Sequence, residues 1–443
     1  MRITAVQFRD FAPFADANIE FPRCAAHQTV GEVQLLTGQN GTGKTRLLCL
    51  LAAACGNRAA LNARIGPSSA SDTAVVGEHG TDESVWGLRQ NETFWLSGRG
   101  AATSILRAIL TGGSIAMRGF DADTPRSPFI VSPPGQAGGP LLAAALAFRG
   151  MARVSDAKIS ALAPVKLESP AEHLTFEPAK NEDLIICQSM ANLKMGAAMD
   201  FLRKSPKTQS RAIQLVERLE GAVTRITGRD FSFEVTSHPE VGLRVFWGGV
   251  TMTLQQLPDG LRAIIGWLVS CVSKLNALFP DHSDPLSLPL ILLLDEPEGH
   301  LHPAWQRKVL PAAQVLFPQA QIFAATHSPF VISSVNEGWI HILRANESGV
   351  VTVDKPRECS KGDTYLDVVE DILGVKEWYD PETEDLLAKF RAMRDDVLVG
   401  REEHSRLEGF AKVIANRSDS LRDLMAREMR QVERLQTPAA SRS

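Results

Sequence analysis

Apolar residues along the chain gather in short dense runs, and the period within each run assigns it an element. Residues 32–36 (EVQLL), 290–294 (LILLL) and 321–325 (QIFAA) are nearly continuous in apolar character, the pattern of parallel strands buried on both faces. Residues 2–8 (RITAVQF) and 17–21 (ANIEF) read as two short strands around a turn holding Pro13. Residues 231–236 and 243–247 alternate as an antiparallel pair, and 339–343 with 350–353 form a second hairpin-like pair. Residues 184–187 (LIIC) read as a strand that ends in Gln188. Residues 141–148 (LLAAALAF) fit a strand or a helix, and Arg149 follows directly; an arginine at the end of a buried element can face phosphate, but a surface ion pair is its expected role.

Helical spacing marks 189–228, with Leu202, Ile213, Val216 and Leu219 among its apolar positions. It also marks 261–278, with Asp259 as candidate N-cap, and a crossover at 303–316 with a kink expected at Pro311. From about 356 the chain turns helical and charged, and Leu421, Met425, Met429, Val432 and Leu435 form an amphipathic seam. Between 57 and 140 the periodicity fades into Gly-, Ser-, Ala- and Thr-rich stretches, with Trp86 and Trp95 flanking a candidate hairpin. Strands that alternate with helices make this an α/β chain.

Composition narrows the class. At 443 residues, 44% hydrophobic and 22% charged, the chain is globular, with material for one large domain carrying an insertion or for two. A formal net charge of −4 excludes a chain-wide basic character but leaves a local basic surface open, so DNA stays an open partner. Six scattered cysteines form no C-x-x-C pair, which argues against a zinc ribbon or a disulfide framework and suits a reducing compartment. The opening MRITAVQFRDF carries charges where a signal peptide needs apolar residues, and no apolar run reaches a membrane span. A cytoplasmic protein with no membrane partner is expected.

Candidate chemistry sits at the strand ends. The run 32–36 leads into Gly38-x4-Gly43-Lys44-Thr45, a phosphate-binding loop pattern that opens a helix. Gly38, Gly41 and Gly43 permit positive φ and close backbone approach, so successive N–H groups can point at phosphate oxygens. Lys44 would reach the β- and γ-phosphates, and the Thr45 hydroxyl would ligate Mg²⁺. The run 290–294 ends in Asp295 and Glu296, where a carboxylate can hold Mg²⁺ and a second can polarise an attacking water. The run 321–325 ends in Thr326-His327-Ser328-Pro329, which puts His327 near those acids as a candidate γ-phosphate contact. Asp259 and Gly260 open a strongly apolar helix whose N-terminus is a further anion site. Gln188, as a strand-end glutamine, is a candidate sensor of Mg²⁺ and water.

The loop at 38–45, LPDGL at 257–261, LLLDEPE at 292–298 and THSP at 326–329 together resemble the ATP-binding-cassette (ABC) ATPases. The likeness is to the soluble branch with the RecF and SMC-type heads and the overcoming-lysogenization-defect nucleases, and it covers about residues 1–345. It implies ATP and Mg²⁺ as ligands, Lys44 and Thr45 as Walker A residues with Asn40, Thr42 and Arg46 beside them, and Asp295 as the Walker B carboxylate. It also implies Glu296 as general base, His327 as switch histidine, and residues 257–261 as a signature loop that meets ATP on the opposite subunit of a head-to-tail homodimer. The departure lies in that loop: Pro258 stands where the family has a serine, and Asp259 adds negative charge beside a triphosphate.

The implied fold is a P-loop ABC-type ATPase head with a mixed sheet, an inserted helical/β lobe and a helical C-terminal extension. Residues 1–350 form the ATPase domain (nucleotide lobe 1–57 and 285–350, inserted lobe 58–284), and 351–443 form the extension. A transporter subunit is disfavoured by the long separation of Lys44 from Asp295. A self-contained nuclease is disfavoured by the lack of a glutamate-plus-Asp-x-Asp set after Pro329, and an SMC arm by the lack of sustained heptads. The resemblance then runs to ATPase components of bacterial anti-phage systems, Septu-like or retron-associated, which control a separate effector such as a nuclease or other toxin. The alternative is a RecF-like DNA-binding ATPase in DNA repair.

Overall fold

A computed structural model of the chain describes residues 3–9, 13–14, 17–24, 29–54, 73–78, 84–89, 95–98, 144–150, 153–160, 176, 182–203, 210–238, 241–280, 282–335, 337–359, 362, 364–375 and 377–436. The chain divides into two compact units, Met1–Leu373 and Gly374–Ser443.

The first unit contains three sheets. β1 (Ile3–Arg9) pairs antiparallel with β2 (Ala17–Glu20) and with β4 (Thr73–Glu78), which continues through β5 (Ser84–Arg89) to β6 (Trp95–Gly98). The hairpin expected around the two tryptophans is β5 with β6, in a register that sets Gly87 opposite Trp95. The central sheet is built on five parallel strands in the order β13 (Gly338–Ala345), β3 (Glu32–Gly38), β12 (Ala320–Ala325), β11 (Leu290–Asp295) and β7 (Ala144–Arg149). β14 (Val351–Val353) and β15 (Arg357–Glu358) add antiparallel to β13. The third sheet is the meander β8 (Phe231–Thr236), β9 (Gly242–Trp247), β10 (Val250–Met252).

Every residue of β3, β11 and β12 is buried, which is why these strands read as unbroken apolar runs rather than alternating ones. Four polar residues in this sheet are paired rather than exposed. His341 donates through Nε2 to Gln34 Oε1 at 2.7 Å, and Gln34 Nε2 donates to the Pro22 carbonyl and to Glu32. Gln321 exchanges two hydrogen bonds of 2.8 Å with the Ile3 backbone and so ties β1 to β12.

Helix α1 (Lys44–Ala54) follows β3 through the glycine loop. The inserted segment supplies α2 (Glu182–Leu202), α3 (Arg211–Thr227) and α4 (Asp259–Leu278). α3 is delimited by its own sequence: Ser210 accepts from the Ile213 N–H at 3.2 Å, and Gly228, at φ 72°, donates to the Thr224 carbonyl at 2.7 Å. α4 is long and apolar enough to cross a membrane by composition, but Ile264, Trp267, Leu268 and Val272 are buried in one core with β7, β11 and α3. α5 (Pro303–Leu316) is the expected crossover and continues through Pro311, and α6 (Pro329–Ile332) follows β12.

Three expectations change here. Residues 184–187 belong to α2 and not to a strand, because a four-residue apolar run is the same in a buried helix as in a strand. Of the run that fitted either a strand or a helix, Ala144–Phe148 are strand, within β7, and 141–143 lie outside the described residues. Asp259 is the first residue of α4, and the N-cap position is Pro258. Beyond the hairpin, Cys359, Val368 and Ile372 are buried within the first unit.

The second unit holds α7 (Pro381–Leu398), α8 (His404–Ala415) and α9 (Asp419–Gln436). Leu387, Phe390, Leu407, Ile414, Leu421, Met425 and Val432 form its core. The amphipathic seam is realised except at Leu435, which is 65% exposed.

Candidate functional site

Parallel strands in register bring their carboxyl ends level, and the candidate residues stand along that edge. Asp295 is opposite Ala325 on one side and Arg149 on the other. Ala325 is opposite Leu36, and Gly38 is opposite Leu343. Three motifs far apart in sequence are thus set side by side by strand pairing alone.

The loop between β3 and α1 has the conformation its glycines permit: Gly38, Gly41 and Gly43 sit at φ 144°, 83° and 83°. A Cβ at Gly38 would lie 2.1 Å from the Leu343 carbonyl oxygen, so that position tolerates no side chain. The Thr42 hydroxyl donates to the Gln39 carbonyl at 2.9 Å and braces the turn. Asn40 and Gly41 are exposed at its tip, Thr42 and Lys44 are buried, and Thr45 and Arg46 are half-buried on the first turn of α1. Phe14 packs on the flank of the loop, 3.0 Å from where a Gly43 Cβ would be.

Lys44 Nζ donates to the carbonyls of Gly38 (2.9 Å) and Gln39 (2.8 Å), curled into its own loop. Burial lowers its pKa to about 8, against the opposing pull of the Glu296, Asp295 and Glu298 carboxylates. The Thr45 hydroxyl donates to Asp295 Oδ1 at 2.9 Å, and Arg149 Nη2 lies 3.3 Å from Oδ2. Asp295 therefore has both oxygens engaged while almost fully buried.

The chain turns sharply after Asp295. Glu296 adopts φ 52°, a left-handed conformation that costs a non-glycine residue about 1–3 kcal/mol. Its neighbours hold it there: Glu296 N–H donates to the Ala325 carbonyl at 2.9 Å, and Gly150 N–H donates to the Asp295 carbonyl at 2.9 Å. Glu298 folds back under the His327 loop, where Oε1 accepts from the Thr326 hydroxyl and from the His327 N–H at 3.2 Å. Burial raises the Glu298 pKa. Burial, and next the nearby Lys44 ammonium, lower the pKa of His327, which favours the neutral imidazole.

Magnesium fits these donors. Thr45 and Asp295 present hard oxygens 2.9 Å apart, and Mg²⁺ is commonly held by one or two protein groups with waters and phosphates completing its octahedron. Among the described residues no cluster of three or more His, Cys, Asp or Glu could hold a metal alone.

Residues 131–333 match the family described as AAA domain, putative AbiEii toxin, Type IV TA system. The chain is similar to ABC/AAA-type ATPases. The matched span contains Asp295, Glu296 and His327 and begins after the phosphate loop. A retron Ec83 probable ATPase of Escherichia coli is 32% identical over 95 residues, 21% of this chain and 18% of that protein. A Septu protein PtuA of Bacillus thuringiensis is 27% identical over 150 residues, 33% of this chain and 37% of that protein. The chain thus spans well under half the length of these relatives. A solved SMC head domain from Thermotoga maritima aligns over 80% of this chain and 99% of its own, with a TM-score of 0.42 and 12% identity.

Of the expected site residues, Gln188 is placed away from its expected strand end, and Asp259 stands at the start of α4 as expected but in local ion pairs. Gln188 lies inside α2, where its Nε2 donates to the Ser160 carbonyl (2.7 Å) and to Asn192 (2.9 Å), while its Oε1 accepts from the Ser160 N–H (2.9 Å). Its polar atoms tether the 153–160 segment, so a strand-end metal-sensing role does not fit it. Asp259 pairs with Arg153 at 2.9 Å and more loosely with Arg262 at 3.5 Å, so its charge is compensated locally. Gly260 is pressed on the His300 carbonyl, 2.7 Å from where its Cβ would be, which seats the start of α4 on the loop after Glu296. Gly150 and Glu298 are site residues that sequence reasoning missed, while Arg149, expected in a surface ion pair, pairs instead with the buried Asp295. Glu298 was inside a quoted motif, and Arg149 was visible only as an arginine after an apolar run.

Proposed function

We propose that the protein binds ATP with Mg²⁺ at the carboxyl edge of its central sheet, hydrolyses it slowly, and uses the ATP-bound homodimer to control a separate effector protein in anti-phage defence. The observation that carries the ATPase part is the 2.9 Å hydrogen bond between Thr45 and Asp295, which joins a phosphate-loop pattern to an acidic strand end across 250 positions of sequence.

Each residue then has a physical task. The loop N–H groups and the start of α1 receive phosphate oxygens, and Lys44 exchanges its loop carbonyls for phosphate. Thr45 and Asp295 hold the metal, which when bound supplies charge neutralisation at the transferring phosphoryl group. Glu296 accepts the proton of the attacking water, in a backbone conformation held by Ala325 and Gly150. Neutral His327 can offer a ring N–H to the terminal phosphate. The compensated Asp259 supports a usable anion site at the start of α4, facing a second subunit. Cys49, Cys187 and Cys271 are buried free thiols, which favours a reducing, cytoplasmic setting.

The defence reading rests on the likeness to the retron and Septu proteins. Its test is affinity purification of the Glu296→Gln protein from the native host with ATP and Mg²⁺, beside Lys44→Ala. A nuclease, reverse transcriptase or other toxin-like protein retained by the first and lost from the second is expected. DNA with repair proteins and no effector would overturn the defence role in favour of a RecF-like one.

A further inference from the structure

The strand that ends beside Asp295 is β7, and it ends in an arginine. Arg149 stands opposite Asp295 in parallel register, with Nη2 3.3 Å from Oδ2, while Thr45 occupies Oδ1. The next residue pins the strand end. Gly150 N–H donates to the Asp295 carbonyl, and its bare Cα faces the Glu296 carbonyl so closely that a Cβ would sit 2.0 Å from that oxygen. The Arg149 backbone is therefore fixed against the acid, whereas its side chain is partly exposed, at 26%.

A guanidinium and a divalent cation are like charges, and each favours the same ionised carboxylate. While Arg149 lies on Oδ2 it neutralises Asp295 and opposes the approach of Mg²⁺ to that group. Once displaced, the guanidinium remains at the carboxyl edge of the sheet, in the row that contains Ala325 and Leu36, two residues before Gly38. The strongest acceptor there is a phosphate bound over the glycine loop, and a planar guanidinium matches phosphate geometry.

We propose that Arg149 is a magnesium-displaced counter-ion: it pairs with Asp295 in the nucleotide-free protein, leaves it when Mg²⁺ enters, and is then held by the terminal phosphate of ATP. The inference rests on the ATP-binding reading above and adds to it a residue that distinguishes ATP from ADP.

The experiment is a set of equilibrium titrations with fluorescent ATP and ADP analogues across a range of Mg²⁺ concentrations, on the parent, Arg149→Ala and Arg149→Lys. Arg149→Ala is expected to need about tenfold less Mg²⁺ for half-maximal ADP binding, and to lose about tenfold of its preference for ATP over ADP, the worth of one charge-assisted hydrogen bond. Arg149→Lys keeps the Mg²⁺ demand near that of the parent and loses part of the preference. A site merely loosened by the substitution would bind both nucleotides more weakly and need more Mg²⁺. That outcome overturns the proposal, as does an unchanged Mg²⁺ demand in Arg149→Ala. Parent binding that disappears in Lys44→Ala secures the ATP-binding reading independently; a parent that binds neither nucleotide sinks both.

Discussion

Thr45 and Asp295 meet across 2.9 Å, hydroxyl to carboxylate, and so join the first turn of α1 to the last residue of β11. The bond requires an acceptor and not a charge. Asp295→Asn should therefore keep it while removing the negative charge a metal needs. We expect this variant to fold, to bind ATP without Mg²⁺ as the parent does, and to lose Mg²⁺-stimulated turnover by about a hundredfold or more. Calorimetric titration with and without Mg²⁺, beside a phosphate-release assay, checks it. Mg²⁺ stimulation surviving in the variant would remove Asp295 from the metal site.

Glu296→Gln should retain nucleotide binding and slow hydrolysis by about 10²–10⁴-fold, the usual contribution of a positioned general base. With turnover blocked, ATP should accumulate in the bound state, and size-exclusion chromatography with ATP should show a larger dimer fraction than the parent. Hydrolysis at the parental rate would mean that another group takes the proton.

Gly150→Ala and Gly41→Ala separate crowding from backbone strain. At Gly150 the new methyl would overlap the Glu296 carbonyl and the Pro297 Cα, 2.0 Å and 2.6 Å away. Backbone on both sides must shift, at a cost of about 3 kcal/mol, and Glu296 shifts with it. At Gly41 nothing lies within 4 Å, and only φ 83° is unfavourable, at about 1–2 kcal/mol. Urea unfolding should rank the two in that order, with turnover falling far more than stability in Gly150→Ala.

His341 makes the fold sensitive to acid. Burial takes its pKa from an ordinary 6.5 down to about 3, so between those values the unfolded chain binds a proton that the native protein does not. Stability from this residue is complete above pH 6.5 and is lost as pH falls, by about 2 kcal/mol at pH 5. Denaturation midpoints of the parent and His341→Gln, followed from pH 7 to pH 4.5, should diverge at the neutral end and converge at the acid end. Parallel curves would show that His341 does not titrate in this way.

The parts of the fold that were legible in the sequence are those with local signals. Runs such as LILLL and QIFAA, each ending in a polar turn, read as strands buried on both faces and are so, and the glycine spacing at 38–43 fits a loop whose φ values the structure displays. LIIC was misleading because α2 buries every residue from Ile186 to Ala191, the polar Gln188 and Ser189 included, so burial there does not follow an apolar stripe. Arg149 was opaque for a different reason. Its partner lies 146 positions away, and only the register of β7 on β11 puts the two side by side. Asp259 carries no mark of the arginines that compensate it, since Arg153 comes from the far side of the inserted segment.

The Glu32–Gln34–His341 seam has a use beyond filling the core. An apolar parallel sheet can slide by a residue at small loss when its strands are all Leu, Ile and Val, because one branched side chain replaces another. Here a slip of β3 against β13 would part Gln34 from His341 and leave buried polar groups unmatched, each at about 1–3 kcal/mol. The seam thus works as a key that admits a single alignment. The height at which Gly38 leaves the sheet, and with it the placement of the whole phosphate loop, is set by side chains that no nucleotide ever touches.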